Sequence, residues 1–253
     1  MAFERMSATD YDRFMGRFSV PLAARFAEWV GVVAPARALD VGCGPGALTT
    51  VLAERLGAAA VCAVDPSPTF AAVAHDRCPG VDVRVGAAER LPFADAEFDI
   101  ALAELVVHFL QDPASGVAEM TRVTSPGGIV AACVWDFEND RAPHAAFLRA
   151  VRDVRGPGNR PLRVGTRRGD LSALLSAAGC LAVAESELTV DASYTTFDEW
   201  WETHTLGVGS AADRLEGLDA DGVSAVRRCA LDLVGSGPIE VAATAWVSRG
   251  VAP

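Results

Sequence analysis

The chain has 253 residues, 51% of them hydrophobic and 22% charged. That is enough apolar material for one large α/β domain or two small ones, and it excludes a disordered chain. With 22 basic against 33 acidic residues the net charge is −11, which is wrong for gripping nucleic acid or an anionic membrane and favours a small-molecule or neutral substrate.

The opening "MAFERMSATDYDRF" has no apolar stretch of signal-peptide type, and no run of roughly 18 apolar residues spans a bilayer, so a cytoplasmic protein without membrane insertion is expected. Cysteines at 43, 62, 78, 133, 180 and 229 form no C-x-x-C pair and have no histidine at ligand spacing. Reduced thiols follow, with no metal site. Residues 1–35 are read as an N-terminal helical cover.

From residue 36 the chain alternates. "RALDV" (37–41) reads as a buried strand and "GALTTVLAERLG" as an amphipathic helix closed by Gly57. "AAVCAVD" (59–65) is a second strand with "PSPTFAAVAHDR" helical behind it. "VDVRVG" alternates at period two, and "FDIALAE" (98–104) is the fourth strand. A helix through "DPASGVAEMTRV" follows, then a Pro-Gly-Gly turn opening the strand "PGGIVAACVWD". This order predicts a parallel sheet covered by helices on both faces.

Further on, "APHAAFLRAVRDV" and "GDLSALLSAAG" read as helices, and "LAVAESELTVD" (181–191) and "PIEVAATAWVSRG" (238–250) as strands. Residues 193–236, with "TFDEWWETHTLG" and the helical "DGVSAVRRCALDLVG", are expected to form a helical lid. The α/β core then comprises 36–192 and 237–253.

Two cofactors compete for "ALDVGCGPGALT" (38–49). The loop Gly42-Cys43-Gly44-Pro45-Gly46-Ala47 fits the loose glycine pattern of nicotinamide enzymes, and Asp65 ends the second strand where a ribose-binding acid belongs. Against that reading, Asp40 stands at the strand end before the first glycine, and Pro45 removes an N–H that a pyrophosphate cradle uses. "AERLPFADAEFDIALAE" also follows where a second nucleoside-contacting loop would sit.

Taken together and in this order, "LDVGCGPG", "AVDPS", "AAERLPFADAEFD" and "EMTRVTSPGG" resemble the class I S-adenosylmethionine-dependent methyltransferases, nearest the branch containing ubiquinone/menaquinone-biosynthesis enzymes. The likeness covers roughly residues 36–136, and "YDRFMGRFS" (11–19) resembles an N-terminal segment of that branch. It implies a Rossmann-like, doubly wound α/β fold: seven mostly parallel strands, an antiparallel last strand and a helical lid. It also implies S-adenosyl-L-methionine as cofactor and a small-molecule acceptor.

Carried over residue by residue, the resemblance places Gly42, Cys43 and Gly44 against the methionine and ribose portions, with Asp40 at the ammonium group. Asp65, with Pro66 beside it, would take the ribose hydroxyls; its other reading is a helix N-cap. Ala88 would meet the adenine through its backbone N–H. Relatives often read "GDA" where this chain has Gly86-Ala87-Ala88, so Glu89 or water replaces the missing acid. Tyr11 and Arg17 would close over the cofactor, or else lie on a solvated helix.

Methyl transfer mainly requires alignment, and a base only where the acceptor must lose a proton. Residues after the fourth and fifth strands are the candidates: Glu104, His108, Trp135 and Asp136. Glu104 contacts the cofactor or, one helical turn from His108, orients it as a base; otherwise His108 packs or caps a turn. His144 and His204 are expected on the surface. Phe197, Trp200 and Trp201 wall an apolar or aromatic acceptor pocket, or pack the lid. Arg155, Arg160, Arg163, Arg167 and Arg168 greet an anionic substrate or form a solvated loop. A protein that binds S-adenosylmethionine without transferring its methyl and a nicotinamide-dependent oxidoreductase are the rival readings.

Overall fold

The computed structural model describes residues 8–156, 162–205 and 213–253. The N-terminal cover runs through a short α1 (Ala8–Tyr11), a π-helical turn (Asp12–Gly16) and α2 (Arg17–Val30). The first half of the core then alternates β1 (Ala38–Val41), α3 (Ala47–Leu56), β2 (Val61–Asp65), α4 (Pro68–Arg77), β3 (Asp82–Val85) and β4 (Phe98–Glu104). It continues with α5 (Pro113–Val123), β5 (Thr124–Trp135), α6 (Ala145–Arg155), α7 (Asp170–Ala177) and β6 (Leu181–Tyr194). Then come α8 (Phe197–Thr205), α9 (Ala220–Val234) and β7 (Ile239–Val251).

The strands form one seven-stranded sheet in the order β3-β2-β1-β4-β5-β7-β6, with β7 antiparallel to both neighbours and the other neighbouring strands parallel. The expected doubly wound fold is therefore present. Residues 38–41 and 61–65 are buried throughout, as helices on both faces require. Period-two alternation sends Leu39, Val41, Ala101 and Ala103 to one core and Ala38, Leu102 and Cys133 to the other, beneath α2 and α3. A third core, around Phe14, Phe147, Trp200 and Val226, joins the cover to the lid.

Side-chain caps fix where helices start. Ser67 accepts from Phe70 N ahead of Pro68, and Asp112 accepts from Ser115 N (3.1 Å) and Ser115 Oγ (2.6 Å) ahead of Pro113. Asp112→Ala is expected to lower the midpoint in chemical denaturation, since two donors lose their acceptor at one helix end.

Three expectations on element bounds change. Pro126-Gly127-Gly128 lies inside β5, because pairing with β4 begins at Thr124↔Phe98 and resumes past an irregularity at Ile129↔Ile100. Residues 193 and 194 belong to β6 rather than to the lid, paired as Ser193↔Glu240 and Tyr194↔Ile239. "ELVVHFL" does not turn α-helical at Glu104: Leu105 takes φ +61°, and only Val107–Phe109 winds, as a single 3₁₀ turn.

Among the described residues no helix is long and apolar enough to cross a membrane, and no cluster of His, Cys, Asp and Glu has metal-binding geometry.

Candidate active site

Strand order reverses between β1 and β4, and the crevice at their carboxyl ends is where an open α/β sheet receives a ligand. Gly42 (φ +73°), Gly44 (+52°) and Gly46 (+95°) all take left-handed backbone there. At Gly42 a Cβ would lie 2.4 Å from a Val106 methyl, whereas at Gly44 it would meet nothing within 4 Å. The first glycine lets two loops close on each other, and the second leaves bare main chain facing the crevice.

The N–H groups of this loop are already used. Gly42 N and Cys43 N donate to Val64 O (2.7 and 3.0 Å), Gly44 N to Asp65 Oδ2 (2.9 Å) and Gly46 N to Cys43 O (2.9 Å). Pro45 has no N–H to give. A pyrophosphate cradle needs such donors free and aimed outward, so the loop does not suit a dinucleotide.

The charge of the crevice points the same way. Asp40, 1% exposed, accepts from Thr49 Oγ1 at 2.6 Å, and burial raises its carboxyl to about 7. Glu104 is pushed up by burial and then by Asp40, and its Oε1 is buried with no hydrogen-bond partner. Both carboxylates line a cavity of about 30 Å³ shared with Tyr11, Ser19, Gly42 and Gly44. Two buried acids with no cation between them among the described residues make a site for a positively charged ligand. The cavity is much smaller than a nucleoside, with Tyr11 and Ser19 of the cover in its wall.

Asp65 is held by two backbone donors, Gly44 N and Ser67 N (2.8 Å). The helix cap is Ser67, so Asp65 ties the glycine loop to the second strand and keeps further lone pairs for a ligand hydroxyl. Exposed Pro66 follows it. Ala88 is buried, and Glu89 Oε1 accepts from Gln111 N (3.0 Å), bracing the loop after the 3₁₀ turn.

Several candidates lie elsewhere than expected. Arg17 does not line the cavity; it donates to Ser193 O (2.9 Å), pairs with Glu199 and lies over the Tyr194 ring, pinning the cover to the lid. His144 and His204 are not on the surface: both are buried among aromatic rings contributed by other elements. Trp200 is fully buried in the lid core, with Phe197 beside it and Trp201 at its margin. Trp135 is also buried. Asp136 is fixed by Asn139 and by Arg141 Nε (2.6 Å), which makes it a loop brace. Glu104 and His108 do not form the expected couple, for Glu104 Oε1 and His108 Nδ1 are each without a partner.

Of the arginine cluster, Arg163 donates to His108 O, Arg155 to Arg214 O and Glu216 O, and Arg167 and Arg168 pair with Glu138 and Glu185. Arg160 lies outside the described residues. Sequence reasoning missed Ser19 and Thr49. Thr49 had a signal: it falls on the first turn of the helix that the glycines launch.

Fold and site together define a Rossmann-like protein whose cleft takes a cationic, phosphate-free nucleoside ligand. The methyltransferase domain profile matches residues 39–132. The chain is 35% identical to a malonyl-[acyl-carrier protein] O-methyltransferase of Geobacter sulfurreducens, over 72% of this chain and 69% of that one. It is 35% identical to an uncharacterized methyltransferase of Mycobacterium bovis over 60% of its own length, and spans only 58% of that relative. A putative type II methyltransferase of Anaeromyxobacter dehalogenans superposes with a TM-score of 0.61 at 25% identity, covering 90% of this chain and 95% of that one.

The chain belongs to the class I S-adenosylmethionine-dependent methyltransferases. S-adenosylmethionine, which carries an ammonium and a sulfonium and no phosphate, is accordingly the cofactor, and the acidic crevice with its bare glycine backbone fits it.

Proposed function

We propose that this protein transfers the methyl group of S-adenosylmethionine to a small-molecule acceptor. The observation that carries this reading is the pair of buried acids at the glycine loop, Asp40 and Glu104, which meet no cation among the described residues. Asp40 and Glu104 would hold the positively charged amino-acid end of the cofactor, Gly42, Cys43 and Gly44 would lie along it, and Asp65 would take the ribose. Ala88 and Glu89 stand at the adenine end, and Tyr11 closes the cleft. Bound there, S-adenosylmethionine supplies an already activated methyl, and the residues of the chain supply alignment and exclusion of water.

The acidic net charge supports a small acceptor over nucleic acid, and the composition supports a cytoplasmic protein. The relative from Geobacter sulfurreducens, named for O-methylation of a malonyl group, supports an oxygen acceptor. The motifs of residues 36–136 support a place near the quinone-biosynthesis branch, although they belong to the cofactor half and do not touch acceptor choice.

S-adenosylhomocysteine is expected to raise the thermal midpoint of the purified protein, and NAD is not. Asp65→Ala should remove most of that ligand-induced rise. Because Gly44 N and Ser67 N lose their acceptor, the variant also melts lower without ligand, so the increment is the quantity to read. An undiminished increment would take Asp65 out of the ribose site.

A further inference from the structure

Three of the four histidines meet in one place. His108 comes from the turn after β4, His144 from the start of α6 and His204 from α8, and they are 7%, 6% and 2% exposed. Aromatic rings join them. Phe137 lies 5.6 Å from His108 and 5.5 Å from His144 between ring centroids, and Phe14 lies 6.2 Å from His144 and 5.6 Å from His204. Two of its members lie within four residues, along the chain, of residues that line the cofactor cavity. Tyr11 lines that cavity and Phe14 stands about one helical turn on, while Glu104 lines it and His108 follows at the same strand end.

His204 Nδ1 bonds to Trp200 O (2.8 Å), but the Nδ1 atoms of His108 and His144 are buried with no partner, as is Trp200 Nε1. An unpartnered buried polar group costs about 1–3 kcal/mol, and native structures carry few without a reason. Three nitrogens in one aromatic compartment ask for a ligand that brings oxygens.

The surroundings are positive. Arg163 acts on His108, and Arg214 acts on His144. The charged or titratable groups that act on either ring are these arginines and neighbouring histidines; no carboxylate is among them. Burial first, and these cations after it, bring both imidazoles down to about 3, so they are neutral at physiological pH and poor proton acceptors. Asp40, Asp65 and Glu104 thus gather at the glycine loop, whereas the imidazoles of this group are neutral and backed by arginines.

We propose that this compartment is the acceptor site and that the acceptor is a carboxylic acid, its carboxylate bound by the Nδ1–H groups of His108 and His144 and its apolar part held by Phe14 and Phe137. The proposal rests on the methyltransferase reading and names the substrate class for it. A carboxylate enters already ionised, which suits a site without an effective base. One oxygen lone pair forms the new bond to the methyl carbon, and the carbon–sulfur electron pair leaves with sulfur. The products are a methyl ester and S-adenosylhomocysteine, and no proton is released.

The test uses full-length protein saturated with S-adenosylhomocysteine, so that binding is read without turnover. Benzoate, cinnamate and octanoate are titrated calorimetrically, each against its own amide. At least one carboxylate should bind tenfold or more tighter than its amide and shift two histidine Cε1–H resonances. His144→Gln should lose tenfold or more of that binding while keeping its affinity for S-adenosylhomocysteine, and His144→Phe, which refills the ring space, should do the same. Acids that bind no better than their amides, or variants that bind them as the wild type does, overturn the proposal. Normal S-adenosylhomocysteine affinity in that case leaves the methyltransferase reading standing, whereas no affinity in the wild type removes both.

Discussion

Asp40→Asn is expected to weaken S-adenosylhomocysteine binding by roughly 30-fold or more, the loss typical of removing one member of a buried charge pair, without lowering the melting temperature of the free protein at pH 8. The asparagine keeps an oxygen for Thr49 Oγ1 but brings no charge into the core. In the free wild-type protein the Asp40 carboxyl sits at about 7 against an ordinary 3.8, so the native state holds a proton that the unfolded chain has released. Native stability therefore declines as pH rises from about 4 to 7 and levels off above that. Cofactor affinity runs the opposite way, because an ammonium group needs the ionised acid: it should climb through pH 7. Asp40 thus gives two opposed slopes, and Asp40→Asn should shrink both, leaving the share of Glu104, whose carboxyl burial also raises. Calorimetric titration and thermal melts between pH 5.5 and 8.5 measure them. A variant that binds like wild type, or that retains both slopes undiminished, would show that Asp40 is not the ammonium's partner.

Gly42→Ala is expected to destabilise the fold by about 2–5 kcal/mol in chemical denaturation, the sum of a left-handed backbone penalty and an overpacking penalty. The added methyl would stand 2.4 Å from Val106, which belongs to the loop after β4. In the Gly42→Ala background, Val106→Ala should relieve the steric share, giving a coupling of about 1 kcal/mol or more in a double-mutant cycle. The backbone share stays. Gly44→Ala supplies the contrast: with nothing within 4 Å it should cost only the backbone penalty of about 1–2 kcal/mol, yet it would point a methyl into the cleft. Equal losses at the two glycines, with no coupling to Val106, would contradict this division of labour.

Much of the architecture is legible along the chain because local signals agree with the global arrangement. β4 reads residue for residue as "FDIALAE", since alternation, glycine and proline breaks and capping all point to one strand-helix order. The cofactor end was legible for a related reason: its residues sit at strand tips and in a contiguous glycine loop. The histidine compartment is not. His144 and His204 lie on amphipathic segments that look like surface, and only tertiary folding brings Phe14, Phe137 and Phe147 against them. Arg17 finds Glu199 from 182 residues away, which no local pattern foretells. The four-residue step from Glu104 to His108 misled because a helical period was applied across Leu105, whose left-handed backbone breaks it.

β6 and β7 pair from Leu181↔Val251 up to Tyr194↔Ile239, and Phe197 N reaches Ser236 O just beyond. The segment between the two strands thus departs from and returns to one hairpin neck. A module grafted at such a neck can lengthen, shrink or be exchanged without sliding either strand. Changes in that segment can therefore proceed without disturbing β1, β2 and β4, whose carboxyl ends carry the glycine crevice on the far side of the sheet.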